Sequence, residues 1–154
     1  MKLITASLGI ELIENFNGSA FADWANVPDW AKPYVAALVE AGIVYGSQQA
    51  DGIYILADDK IIREEMIAMV IRSLSADTPE NNGDGDDVAG ADTGLFNAPP
   101  DFDKVSNWAK DNVTFALRNE MINTDADGTV SPDRNARRDE TAMILYKLLQ
   151  YLGI

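Results

Sequence analysis

The chain has 154 residues, 47 % of them apolar, and a net charge of −13, which suits one domain or two small units that share a core. It contains neither cysteine nor histidine, so disulfides, thiolate metal sites and the commonest general base are excluded. The acidic balance argues against a nucleic-acid partner, and no apolar run approaches the roughly 20 residues of a membrane span.

Residues 2–13 read as a short helix that ends near Gly9 or continues to Ile13. Its apolar start meets Glu11 too soon for a signal peptide, so an export signal would lie outside this chain. Asn15–Ser19 is a turn, and Phe21–Asp29 is irregular but aromatic enough to pack. Asp29 is placed to cap a helix over 30–41, in which Trp30, Tyr34 and Leu38 step by four and Pro33 falls in the first turn. Gly42 terminates it, and Ile43–Gly46 form an apolar turn. After a loop at Ser47–Gly52, Ile53–Leu56 read as a very short strand.

A second helix, over 63–75, shows Met66, Val70 and Leu74 on one face with Ile67 and Ile71 beside them. Arg63 opens it, at the end where the helix dipole disfavours a cation. Residues 77–101 change character. Asn81–Asp87 have little to bury and Pro99-Pro100 close the segment in extended form, so this is an acidic insertion or linker, expected to be mobile over 79–94.

The second half copies the first. Trp108-Ala109 follow Trp30-Ala31 by 78 residues, and Arg138 follows Arg63 by 75, again at a helix start. Helices are expected over 108–121 and 138–151. Leu152-Gly153-Ile154 repeats Leu8-Gly9-Ile10, so residues 1–20 read as the tail of a preceding repeat. A guanidinium beside the unpaired donors of a helix start suits a carboxylate ligand; equally, each arginine can pair with Glu65, Glu140 or a neighbouring repeat. Trp30, Trp24, Tyr45 and Trp108 offer flat faces for sugar rings, although Trp30 and Trp108 sit at core spacing. Asn123-x-Asp125-x-Asp127-Gly128 begins like a calcium loop, but its twelfth position is Arg134, a cation that opposes binding. No metal site is assigned. Carboxylates abound, yet a short helical repeat offers no deep cleft for a glycosidase pair.

These residues resemble the S-layer homology module. Its pattern runs from Phe-x-Asp through Trp-Ala and Gly-Ile-x-x-Gly to a Gly-x-Phe-x-Pro loop and a helix opened by Thr-Arg-Ala-Glu. The first unit, 21–76, offers Phe21 and Asp23, Trp30-Ala31, Gly42 to Gly46, and Arg63 with Glu65. The second, 102–154, offers Phe102, Trp108-Ala109, Gly128 with Pro132, and Arg138 with Glu140. Departures are Lys104 where the aspartate is expected, with Asp103 adjacent; Glu120 and Thr124 for the paired glycines; Ala57 for the loop proline; and Ile62 and Arg137 for the capping threonine, a loss of about 1 kcal/mol each.

The resemblance implies a mainly α fold of repeated helix–loop–helix modules packed as a pseudo-threefold bundle. It implies a non-catalytic, extracellular anchor at the bacterial cell surface, without cofactor or membrane insertion, binding an acidic, often pyruvylated, secondary cell-wall polysaccharide. The expected ligand-binding residues are Arg63, Glu65, Arg138, Glu140, Asp23, Trp30, Tyr45, Gly46 and Trp108. With two modules and a tail, the tail packs in the shared core or a second copy fills the vacancy as a homo-oligomer. The alternative is a helical protein-interaction module that keeps the fold without the glycan.

Overall fold

The computed structural model describes residues 1–74 and 96–154. The acidic segment around Asn81–Asp87, with its expected mobility over 79–94, lies outside the described residues. The chain forms two compact units, Met1–Asp59 and Lys60–Ile154. The described residues carry five α-helices and one two-stranded antiparallel sheet.

In the first unit, α1 (Lys2–Leu8) packs on α2 (Lys32–Glu40). The hairpin β1 (Ser47–Gln49) and β2 (Gly52–Tyr54) follows, so pairing begins within the stretch expected to be loop. Val27, Val35, Leu38 and Ile43 form the core, each nearly or fully buried. The expected cap at Asp29 does not form. Pro28 O already accepts from Ala31 N and Lys32 N, and Asp29 instead binds the Lys32 ammonium at 2.7 Å. Helix α1 stops at Gly9, with φ 65° and Ile10 N donating to Thr5 O.

In the second unit, α3 (Arg63–Arg72) packs against α4 (Lys110–Arg118) and α5 (Arg138–Leu152). Ile67, Ile71, Val113, Met121, Ile144 and Leu148 fill its centre. Helix α3 is buried all round from Met66 to Ile71, more fully than its four-step column requires, whereas α4 and α5 each bury a narrower stripe. Helix α5 ends at Gly153, φ 72°, with Ile154 N on Leu149 O, the same terminus as α1.

Hydrogen bonds reveal the repeat more closely than the residues do. Ile43 N donates to Leu38 O after Gly42, and Met121 N donates to Ala116 O after Glu120. Gly42 has φ 67° and Glu120 has φ 53°, so the turn survives the loss of its glycine. The threonine cap is lost as expected. Half of the capping arrangement persists, because Glu65 accepts from Ile62 N at 3.0 Å and Glu140 from Arg137 N at 3.1 Å.

Candidate ligand-binding site

Arg63 lies at the centre of the second unit's polar chemistry. Its side chain is 4 % exposed. The N-terminus of α3 is occupied by protein acceptors: Arg63 N donates to Arg134 O and Glu64 N to Pro132 O. The guanidinium reaches over the 121–134 loop, with Nη1 donating to Val130 O at 2.7 Å and Nη2 to Asn123 O. Its Nε is buried without a hydrogen-bond acceptor, 3.7 Å from Glu140. Burial draws the Arg63 guanidinium below its ordinary pKa, against the pull of Glu140.

Arg134 completes the cluster. It donates to both oxygens of Glu140 and to Asp125. Its hydrogen bonds hold both carboxyls below their ordinary values, Ser131 adding to the effect on Asp125 and desolvation opposing. Arg134, met in the sequence only as an obstacle to calcium, is the cation that Asp125 takes. Asp127 is occupied locally, accepting from Thr129 N at 3.0 Å and from its hydroxyl at 2.6 Å.

A cleft of about 140 Å³ opens beside this cluster. Arg63, Asn123, Asp125 and Glu140 line it, with Arg137, Asp139 and Met143 also on its walls. Arg137 is 61 % exposed and grips Asp139, itself 68 % exposed, through Nε–Oδ1 at 3.1 Å and Nη2–Oδ2 at 2.7 Å. That pair raises the Arg137 pKa and lowers that of Asp139. Arg137, Asp139, Asp125 and Arg134 were absent from the expected site. The repeat places Arg137 and Asp139 in the altered capping segment, whereas Asp125 and Arg134 stood in the calcium-like stretch.

The other expected residues are dispersed. Arg138 is exposed, does not line the cleft and forms no ion pair among the described residues. Glu65 serves the start of α3. The core placement of Trp30 and Trp108 is corrected: they are 69 % and 48 % exposed. Both precede their α-helices, Trp30 in a turn and Trp108 in a 3-10 helix over Asn107–Ala109, and Arg72 stacks on Trp108 at 5.6 Å. Trp24 packs between Phe16 and Phe21. Tyr45 is exposed beside Gly46, whose φ is 77° and whose added Cβ would come within 2.6 Å of Ile53 Cγ2; close packing already requires that glycine.

Asp23 accepts from Ile55 N and Leu56 N, both at 2.8 Å. Its counterpart is Asp101, which accepts from Val130 N at 2.8 Å and Ser131 N at 2.7 Å. The alignment of Phe102 with Phe21 is therefore corrected. The 78-residue offset of the tryptophans carries Asp23 onto Asp101, and Pro99 stands in the place of Phe21. Glu64, which the sequence reading passed over, is 4 % exposed and accepts from the Ser106 amide and hydroxyl at 2.9 and 2.6 Å, tying the start of α3 to the approach to α4.

Comparison with known proteins agrees with this repeat. The family model described as "S-layer homology domain" matches residues 20–67 and 100–142. The chain is 33 % identical over 140 residues to exoglucanase XynX of Acetivibrio thermocellus, covering 89 % of this chain and 11 % of that protein. It is 32 % identical over 125 residues to an amylopullulanase of Thermoanaerobacterium thermosulfurigenes, covering 81 % and 6 %. Against an endoglucanase of Bacillus sp. (strain KSM-635) the figures are 27 % over 152 residues, 96 % and 14 %. The chain thus spans a small share of the relatives it matches. Two matched modules, with the same acid-to-loop bonds in each, establish that the chain belongs to the S-layer homology domain family, whose modules attach proteins to the bacterial cell surface.

Proposed function

We propose that this chain is a non-catalytic anchor that binds an acidic, pyruvylated secondary cell-wall polysaccharide outside the bacterial cell. The observation that carries the reading is the small cleft of the second unit. It is lined by the buried Arg63 guanidinium, whose Nε has no hydrogen-bond acceptor, and by the exposed Arg137. Its volume, about 140 Å³, is below the ~300–1,000 Å³ of pockets that enclose a whole small ligand. A single carboxylate substituent suits it better than a sugar ring. Trp30 and Tyr45 are exposed aromatics of the kind that sugars stack on, and Trp108 is exposed on the side that Arg72 does not cover. The enzyme names of the relatives belong to proteins of which this chain matches 6–14 %, so no reaction is transferred from them. Among the described residues, no helix is long and apolar enough to cross a membrane.

A second reading, a helical assembly module without glycan, draws on a different observation. The arginines 63, 134 and 137 are matched by Asp125, Asp139 and Glu140, so the cluster has no surplus positive charge. Met143 and Tyr146 are also exposed on α5. In the pseudo-threefold arrangement that we propose, α1 is the tail of a third module and a second copy of the chain supplies the remainder; sedimentation equilibrium tests this by reporting monomer or dimer.

Calorimetry against a pyruvylated wall fragment, and the same fragment stripped of its ketal, at two salt concentrations, tests the anchoring reading. Saturable binding that needs the ketal is expected. Moderate salt should leave it unchanged or strengthen it. The protein's −13 charge repels an anionic polymer at long range, and that repulsion is screened over about 8 Å at physiological salt, whereas a partly buried contact is not. No binding to either fragment would overturn the reading in favour of the assembly module.

A further inference from the structure

We infer that Arg137 is the residue that selects an anionic substituent at this cleft, and that Asp139 is a built-in competitor which the substituent displaces. The inference rests on the anchoring reading above and assigns the specificity of that site. Two arginines, Arg63 and Arg137, line the cleft, and a third, Arg134, backs its acidic wall through Glu140 and Asp125; Arg63 and Arg134 are committed. Arg63 spends Nη1 and Nη2 on the carbonyls of Val130 and Asn123. Arg134 spends both Nη atoms on Glu140 and Asp125. Arg137 is the most exposed of the three, and among the described residues its guanidinium hydrogen-bonds to the carboxylate two residues on. Arg138, the neighbour at the repeated position, does not line the cleft.

The carboxylates are unequal in the same way. Glu140 is 15 % exposed and fixed by Arg134 and by Arg137 N. Asp125 is held by Arg134 and Ser131. Asp139 is the most exposed of the three and has Arg137 as its side-chain partner. Because the cluster's charges balance, an incoming carboxylate gains a cation only by taking the place of a resident one. Asp139 is the resident whose release leaves no buried group unpaired. Its bidentate grip on Arg137 occupies the fork geometry that a ligand carboxylate would use. An exposed pair of this kind is weak enough to exchange.

The test is calorimetry on the full chain with the pyruvylated wall fragment and its ketal-free form, using Asp139→Asn, Arg137→Gln, the double variant, and Asp133→Asn. Asp133 is exposed and off the cleft walls, so its change controls for net charge alone. Asp139→Asn should tighten binding of the pyruvylated fragment by about two- to five-fold, the range expected for removing one exposed competing pair. Asp133→Asn should leave affinity unchanged, and Arg137→Gln should weaken it. In the double variant the gain should vanish, since the two residues act as one unit. Circular dichroism melts confirm that each variant folds. If wild type binds but Asp139→Asn gains nothing, or if the gain persists without Arg137, this inference falls and the anchoring reading stands. If wild type and every variant ignore both fragments, the anchoring reading falls and takes this inference with it.

Discussion

Asp101→Ala should unseat the loop that carries the cleft, and its cost can be worked from two hydrogen bonds. Asp101 is 7 % exposed and accepts from Val130 N and Ser131 N. Val130 is fully buried, so its amide has no access to replacement water. An orphaned buried donor costs about 1–3 kcal/mol, and the half-buried Ser131 amide should fall at the low end. The sum is about 2–4 kcal/mol, a large fraction of the ~5–15 kcal/mol that keeps an ordinary domain folded. Ser131 also has φ 50°, a left-handed conformation that disfavours any side chain, so the carboxylate restrains a residue that gains by relaxing. The effect then spreads, because Val130 O is the acceptor of Arg63 Nη1. Urea denaturation should show the loss, and amide exchange at Val130 should accelerate sharply. Asp101→Asn should cost less, since one oxygen remains while the new NH2 faces an amide donor. Asp23→Ala should also cost less, because Asp23 and its bonds to Ile55 and Leu56 are only partly buried. A loss below about 0.5 kcal/mol for Asp101→Ala, within the range of ordinary surface changes, would refute the reasoning.

Two further outcomes follow from the same geometry. Glu120→Gly should stabilise the second unit by up to about 1 kcal/mol, because a left-handed φ of 53° costs a side chain about 1–2 kcal/mol and glycine returns part of that as unfolded-state entropy; thermal melting that falls or stays unchanged would contradict it. Acid should destabilise the second unit through Asp125 and Glu140. Both pKa values are lowered in the folded chain from ordinary values of 3.8 and 4.5, so their contribution is complete above those values and is lost as pH falls through the lowered ones. Arg134→Met should flatten that dependence in melts taken from neutral to strongly acidic pH, since Arg134 hydrogen bonds are the leading cause of both shifts.

The helices were legible because their apolar residues recur every three or four positions, and Met66 and Val70 are buried as their column demands. The column was less exact in detail, since α3 buries Met66–Ile71 without a break and α5 buries Ile144, Leu145 and Leu148 while Leu152 stays exposed. The Phe-x-Asp motif was legible, but as a ligand-binding acid and not as the brace that Asp23 forms, and its second copy was misplaced by three residues because Phe102 looked like Phe21. The offset of the tryptophans held the answer, but the 75-residue offset of the arginines competed with it. The chain loses three residues between these landmarks, so no single displacement aligns both. Trp30 and Trp108 went astray for a different reason. Periodicity assigns a face to a residue inside an α-helix, and both lie just before one, Trp30 in a turn and Trp108 in a 3-10 helix, where the column has not yet begun.

The arginine that opens each second helix shows what a repeat cannot tell. Arg63 and Arg138 are equivalent in sequence and opposite in structure. What separates them is the next stretch of chain. The 121–134 loop lies over the start of α3, fills its backbone donors with Arg134 O and Pro132 O, and supplies the carbonyls that Arg63 holds. Among the described residues no such loop lies over Arg138. A cation at a helix start is unfavourable only while the dipole faces it alone. Once Asp125 and Glu140 gather beside it, the arginine becomes the member of the cluster whose removal would strand the carbonyls of Val130 and Asn123, while Arg134 keeps both carboxylates. The local misfit in the sequence therefore marks a tertiary contact, and its role at each copy is set by the neighbour that covers it.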